Sequence, residues 1–267
     1  MLKPTRTAVL ILACVAILPA AGCARSRAKG DTAYVARDVN TLYAAAKRTM
    51  DQGDYLAAAK LFDEVERQHP YSVWARRAQI MSAFNYYLGQ KYTDAISSAQ
   101  RFLTIHPGNA EAPYAHYLVA MSYYQQIADV TRDQAITQQA SDSFGELIRR
   151  YPDSRYAADA RLKLDLINDH LAGKEMEVGR FYERSGNWLA ASLRFREVVD
   201  KYQTSSHAPE ALERLVESYL TLGTPAEAYK TAAVLGRNYA TSYWYRQSLR
   251  LLLDYEKKHP KQASWTQ

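Results

Sequence analysis

The sequence predicts an all-α fold: a solenoid of five helix-turn-helix repeats closed by a C-terminal capping helix. Three observations lead there. An apolar pattern at helical spacing returns along the chain. Each return is bracketed by turn residues, with proline behind the first three copies. No alternation of the kind that marks a strand is sustained anywhere. The pattern is clearest between Gly53 and Pro70, where Tyr55, Ala58, Ala59 and Phe62 fall at i, i+3, i+4 and i+7 and so share one helix face. Gly53 closes the helix in front, because glycine reaches the left-handed conformation of a helix end. Pro70 stops the helix behind.

The copies follow at steps of 37, 45, 51 and 37 residues. They are carried by Tyr92, Ala95, Ala99, Phe102 and Pro107; by Ala140, Phe144, Leu147 and Pro152; by Gly186, Trp188, Ala191, Phe195 and Val198; and by Gly223, Pro225, Ala228, Ala232 and Leu235. A helix precedes each copy, with a small residue at Ala46, Ala83, Ala120 and Gly179 in the first four. Two helices approach closely only where neither carries a bulky side chain, and an aromatic then fills the wedge at the end of each pair. Helix pairs recurring at a little over 34 residues mark a tetratricopeptide (TPR) solenoid.

The elements are then expected in order. Residues 1–22 read as a signal segment: Lys3 and Arg6 precede a short apolar run from Ala8 to Leu18, too short to span a bilayer comfortably. Ala20, Ala21 and Gly22 stand directly before Cys23 and resemble a bacterial lipobox, with Ala20 where leucine is usual. That resemblance implies cleavage between Gly22 and Cys23, acylation of Cys23, and sorting to the outer membrane because Ala24 is not aspartate. Ordinary signal cleavage is the alternative. Cys14 lies in the segment removed, so Cys23 would be the lone cysteine of the mature chain and no internal disulfide could form. Two or more acyl chains would give stable attachment.

Residues 23–36 are a polar tether. Residues 37–155 hold an N-terminal block of three repeats, the first helix capped by Asp38 and the second pair opening at Ser72. The third repeat is longer between its helices, around Gln126 to Gln134. That extension is either an inert turn or a loop that reaches the groove. Residues 156–258 hold a long linking helix, expected from Arg155 to about Arg184 with a bend at Gly173, then a C-terminal block of two repeats and a cap from about Ser242 to Lys258. Its apolar side is marked by Ala157, Ala160, Leu164, Ile167, Leu171, Met176 and Phe181. Residues 259–267 form a tail.

Composition narrows the function. The 267 residues are 48% hydrophobic, enough for a sizeable core. The net charge of +6 falls to about +4 once Lys3 and Arg6 are removed, and the basic residues are mixed with acidic ones rather than clustered. With no basic stripe interleaved with stacking aromatics, nucleic acid is not the expected partner. The six histidines show no metal-ligand spacing, and no phosphate loop, nucleophile elbow or H-E-x-x-H motif occurs. Asp63 and Glu64 are consecutive on a helix and point apart. The chain reads as a non-enzyme without cofactor or metal.

A TPR array holds peptide or protein segments, its first helices lining a concave face. Tyr86, Tyr87, Tyr117 and Tyr124 lie on first helices and are candidate groove residues, with core packing as the competing role.

The combination of lipobox cysteine, tether, five TPR units, lengthened third repeat and long fourth-repeat helix resembles the BamD family, lipoproteins of the outer-membrane β-barrel assembly (BAM) machinery. The details are His69-Pro70-Tyr71-Ser72, Phe84-Asn85-Tyr86-Tyr87, the run from Asp129 to Gln134, Tyr151 to Tyr156, and Tyr182 to Trp188. The resemblance implies a scaffold on the periplasmic face of the outer membrane. Its N-terminal repeats would bind targeting segments of unfolded outer-membrane proteins. Its C-terminal repeats would dock the POTRA region of BamA, with other BAM lipoproteins as further partners. Arg194, in Trp188 to Phe195, aligns with an arginine of the family that ion-pairs with BamA. A different periplasmic TPR adaptor, acting in envelope division or peptidoglycan synthesis, is the alternative.

Overall fold

The computed structural model describes residues 37–129 and 134–260. The signal segment, the whole tether with Cys23, residues 130–133 of the third-repeat loop and the end of the tail lie outside the described residues. Among the described residues there are eleven helices and no strand. They are α1 (Val39–Asp51), α2 (Tyr55–Gln68), α3 (Val73–Leu88), α4 (Tyr92–Ile105), α5 (Ala112–Tyr124), α6 (Ala135–Arg150), α7 (Arg155–Arg184), α8 (Trp188–Lys201), α9 (Ala208–Thr221), α10 (Pro225–Tyr239) and α11 (Tyr243–Lys258). Consecutive helices pack on one another throughout, and the first helices of successive pairs also touch: α1 on α3, α3 on α5, α5 on α7 and α7 on α9. This is the TPR arrangement the periodicity predicts, five pairs with α11 packed against α9 and α10.

Local rules set the boundaries. At His69, His106, Tyr151 and His259 the backbone sits near φ −130° and ψ 55°, outside the helical region. A proline follows each of them and its ring disfavours the helical conformation one residue earlier. Inside three repeats the reversal is made by a left-handed glycine, Gly53 at φ 83°, Gly186 at φ 73° and Gly223 at φ 75°. The second repeat uses Gln90 at φ 58° instead. Asp54, Ser72, Asn187 and Ser242 accept hydrogen bonds from first-turn amides of their helices. Ser154 takes the cap position of α7 but its hydroxyl makes no capping bond.

The core follows the small-residue register. Ala46, Ala83 and Ala120 are completely buried, as are Ala58, Ala95, Ala140, Ala191 and Ala228. Phe62, Phe102, Phe144 and Phe195 are the largest buried side chains and fill equivalent positions in four successive pairs. In the fourth pair contact is closest: a Cβ on Gly179 would lie 2.4 Å from the Phe195 ring.

Helix α7 is continuous through Gly173, whose missing side chain makes room for His207; a Cβ there would be 3.2 Å from His207 Nε2. One expectation for α7 is corrected: Phe181, placed on the apolar side, is 60% exposed. The first half of α7 packs on α5 and α6 and the second half on α8 and α9, so its buried side does not keep one register over 30 residues.

Candidate functional site

The inner face of the first repeats carries an open cavity of about 820 Å³. Helix α3 supplies most of one wall. Val73, Arg77, Ile80 and Phe84 recur at i, i+4, i+7 and i+11 along it, with Arg76 and Met81 at the edges. Tyr43 comes from α1, Tyr114 from α5, and Arg155 and Tyr156 from the start of α7. These helices reach the same space because small residues let each pair stack on the next.

The floor is aromatic. Tyr43 packs at 4.7 Å from Trp74 and edge-on to Phe62 at 5.3 Å. Phe84 meets Tyr114 at 6.5 Å, Tyr114 meets Tyr156 at 5.3 Å, and Tyr156 stacks on Tyr117 at 5.2 Å. Burial, helped by Tyr156, pushes the Tyr114 phenol up to about 12, so it stays a neutral donor at any physiological pH. Burial likewise raises Tyr43, against the pull of Arg77.

Three arginines stand over this floor. Arg77 lies 5.5 Å from the Trp74 ring and Arg155 lies 4.8 Å from the Tyr156 ring. Among the described residues neither they nor Arg76 form an ion pair, and Glu111 is the one acid among the lining residues. The cavity therefore offers fixed positive charge beside apolar rings, a match for an anionic group joined to an apolar one.

The four tyrosines singled out from sequence do not line this cavity. Tyr86 donates to Asp63 Oδ2 at 2.8 Å, and burial followed by that carboxylate raises its pKa. Tyr117 donates to Asp159 Oδ2 at 2.6 Å and its pKa is raised for the same two reasons. Tyr87 packs 5.9 Å from Tyr92 and accepts from Gln125. Tyr124 lies edge-on to Phe144, with the Lys163 ammonium 5.3 Å from its ring. Tyr117 adjoins the cavity through its stack on Tyr156. Arg76, Arg77, Tyr43 and the Tyr114–Tyr156 contact escaped the sequence reading. The i, i+4, i+7, i+11 stripe on α3 was the signal for part of them.

In the fourth and fifth repeats the first helices are locked by charge. Arg180 forks onto Glu210 at 3.0 and 2.8 Å, and Arg214 bridges Glu210 at 2.8 Å and Glu183 at 2.7 Å. Burial would raise Glu210, but Arg180 and Arg214 outweigh it and hold the carboxyl below its usual range. Glu213, beside this network, is pushed up to about 7 by burial and by the charge of Glu217. On the second helix, Arg194 pairs with Glu175 at 3.1 Å and keeps nearly half its surface. Leu189 and Leu193, one turn apart on the same helix, are exposed.

The loop after α5 is tied down where it is described. His170 Nε2 lies 2.9 Å from the Ala128 carbonyl, and Ile127 packs against the core under α6. Among the described residues no helix is long and apolar enough to cross a membrane.

Comparison with known proteins gives a consistent result. The family model YfiO, outer membrane lipoprotein, matches residues 35–235. The outer membrane protein assembly factor BamD of Caulobacter vibrioides is 48% identical over 249 residues, which is 93% of this chain and 82% of that protein. That of Rickettsia prowazekii is 43% identical over 88% of this chain and 92% of its own length. That of Neisseria meningitidis serogroup A is 32% identical over 84% of this chain and 89% of its own. Among solved structures, a TPR protein of Thermus thermophilus aligns over 82% of this chain and 98% of that chain, with 17% identity and a TM-score of 0.37.

Proposed function

The chain belongs to the BamD (YfiO) family of outer membrane lipoproteins, and on that premise we propose that it is a non-enzymatic scaffold with two separate grips. Its relatives are outer membrane protein assembly factors. The first grip is the cavity on α1, α3, α5 and α7, which takes a targeting segment of an unfolded outer-membrane protein. The second is the outer surface around Arg194, which docks the POTRA region of BamA and so brings the segment to the barrel-forming subunit. Cys23, acylated after cleavage behind Gly22, holds the scaffold on the periplasmic face of the outer membrane.

One observation carries the first grip: three arginines without acidic partners stand over a tyrosine floor, among the described residues. Unpaired cations beside rings suit a segment that ends in a carboxylate and carries bulky apolar side chains. For the second, Arg194 keeps nearly half its surface and has one exchangeable partner, Glu175, and exposed Leu189 and Leu193 on the same helix add apolar area on an adjacent face. Arg194 would exchange Glu175 for a partner carboxylate, and an ion pair desolvated in that way costs ~2–5 kcal/mol to break.

Photocrosslinking in cells separates the grips. A crosslinker at Tyr114 should capture unfolded outer-membrane proteins, and one at Leu193 should capture BamA. Capture of the same partner from both positions, or of envelope-division proteins without BamA, would overturn the reading.

A further inference from the structure

A groove of about 600 Å³ lies at the far end of the array, between the last turns of α9 and the second half of α11. Leu220 and Thr221 line it from α9, and Leu251 and Tyr255 from α11, with His259 at the rim. It shares no lining residue with the cationic cavity. The rim is an aromatic wall. The His259 ring stacks on Tyr255 at 4.3 Å, and His259 Nδ1 lies 3.1 Å from the Tyr255 carbonyl.

The chain leaves the fold at this rim. Pro260 follows His259 and draws its backbone to φ −128° and ψ 58°, so α11 stops there. Beside it the end of α9 turns at Gly223 into α10, but no helix follows α11 among the described residues. Residues 261–267 come next, and their one large apolar side chain is Trp265. From Pro260 to Trp265 the chain extends at most about 17 Å. A tight reversal takes about two residues and leaves about 10 Å to run back along α11. His259 to Leu251 spans about 12 Å of helix. The indole therefore arrives between Tyr255 and Leu251, where it can bury about 150–250 Å².

Charge agrees with this occupant. Glu217 and Asp254 line the groove against one lysine, Lys258, whereas residues 261–267 carry Lys261 and no acid. The indole N–H can only donate, and the two carboxylates accept.

We propose that residues 261–267 fold back over this groove and seat Trp265 between α9 and α11, so that the chain closes its own last repeat. A terminal repeat has no neighbour to bury its open face and needs a cover of this kind. The inference goes beyond the two grips and depends on neither. The point of exit, the reach of the segment and its charge select it over a second copy or another protein.

The test uses the full-length chain in mild detergent, labelled with fluorotryptophan and read by fluorine NMR. Trp265→Phe assigns the Trp265 resonance among the 4 tryptophans. A synthetic peptide of residues 261–267 gives the resonance position of the undocked residue. In the native chain the Trp265 resonance should be displaced from that position. Thr221→Arg and Leu251→Gln should each return it there. Thr221 is exposed, so the arginine fills the groove and spares the core, and an unchanged circular dichroism spectrum confirms the fold of both variants. Dilution by about tenfold should leave the displacement as it is, because a tethered segment meets its groove at a fixed effective concentration. A native Trp265 resonance at the peptide position overturns the proposal. So does a displaced resonance that either groove variant leaves in place, which puts the indole elsewhere. A displacement lost on dilution also overturns it and makes a second copy the occupant.

Discussion

Gly179→Ala adds one methyl group where α7 and α8 touch, and the structure gives its cost. The new Cβ would lie 2.4, 2.8 and 3.0 Å from three atoms of the Phe195 ring. The end of a flexible side chain could swing away, but Phe195 is completely buried among Met176, Ala191 and Val198. Contact at 2.4 Å with a ring that has no room to swing away puts the overpacking cost in the upper part of the usual range, ~2–3 kcal/mol, and the better helix propensity of alanine returns ~1 kcal/mol. The expected net loss is about 1–2 kcal/mol, a fall of roughly 2–8 °C in Tm for a chain of this size. Gly145, inside α6, is the control: nothing lies within 4 Å of its Cβ position, so Gly145→Ala should gain ~0.5–1 kcal/mol from propensity alone. Urea denaturation followed by tryptophan fluorescence, with Trp188 at the start of α8, reads both variants. Phe195→Leu completes a double-mutant cycle. It makes room, so the combined variant should cost at least 0.5 kcal/mol less than the two single changes added. A Gly179→Ala protein as stable as the native one, or strict additivity in the cycle, would refute the close-contact account of the small-residue register.

Glu213 gives a pH prediction. Its folded-state pKa is raised from the ordinary 4.5 to about 7 by burial and then by Glu217, so the folded state binds the proton more tightly and stability falls as pH rises from about 4.5 to 7. Glu213→Gln should therefore stabilise the protein by about 2 kcal/mol at pH 8 after allowing for residual solvent and little at pH 4.5, and should flatten the fall in stability over that range in urea titrations; equal effects at both pH values would contradict it. Tyr117→Phe removes the hydroxyl that holds Asp159 at 2.6 Å and should cost about 1–2 kcal/mol in the same assay, with the circular dichroism spectrum unchanged. Cys23→Ser should release the chain from membranes on cell fractionation, and retention in the membrane pellet would exclude the acyl anchor.

The helices were legible because their signals are local. A proline acts on the residue before it, which is why His69, His106 and Tyr151 end helices where the sequence says they must. The glycine turns, the serine cap at Ser72 and the small residues at Ala46, Ala83 and Ala120 are also read from neighbours a few positions away. What the sequence hid depends on partners a full repeat distant. Tyr86 and Tyr117 sit on the faces their spacing gives, yet their hydroxyls are held by Asp63 and Asp159, 23 and 42 positions away. No periodicity encodes that choice. The cavity is hidden for the same reason: Arg76, Arg155 and Tyr114 come from three different helices and converge only once α3, α5 and α7 are stacked.

That convergence also separates the two ends of the array, which share one repeat plan. The second half of α7 and the fifth repeat's α9 carry arginines as well, but Arg180 is forked onto Glu210, and Arg214 is held between Glu210 and Glu183. For either to bind an anion it must release a carboxylate that is itself half-buried, and a carboxylate left behind without its cation is costly. Arg76, Arg77 and Arg155 have no such bond to give up among the described residues. An anionic segment would therefore meet cations with no carboxylate to release where α3 and the start of α7 line the cavity, whereas Arg180 and Arg214 hold the second half of α7 to α9. The division follows from which arginines have acids within reach, and on α8 the half-exposed Arg194 is bound by the single acid Glu175.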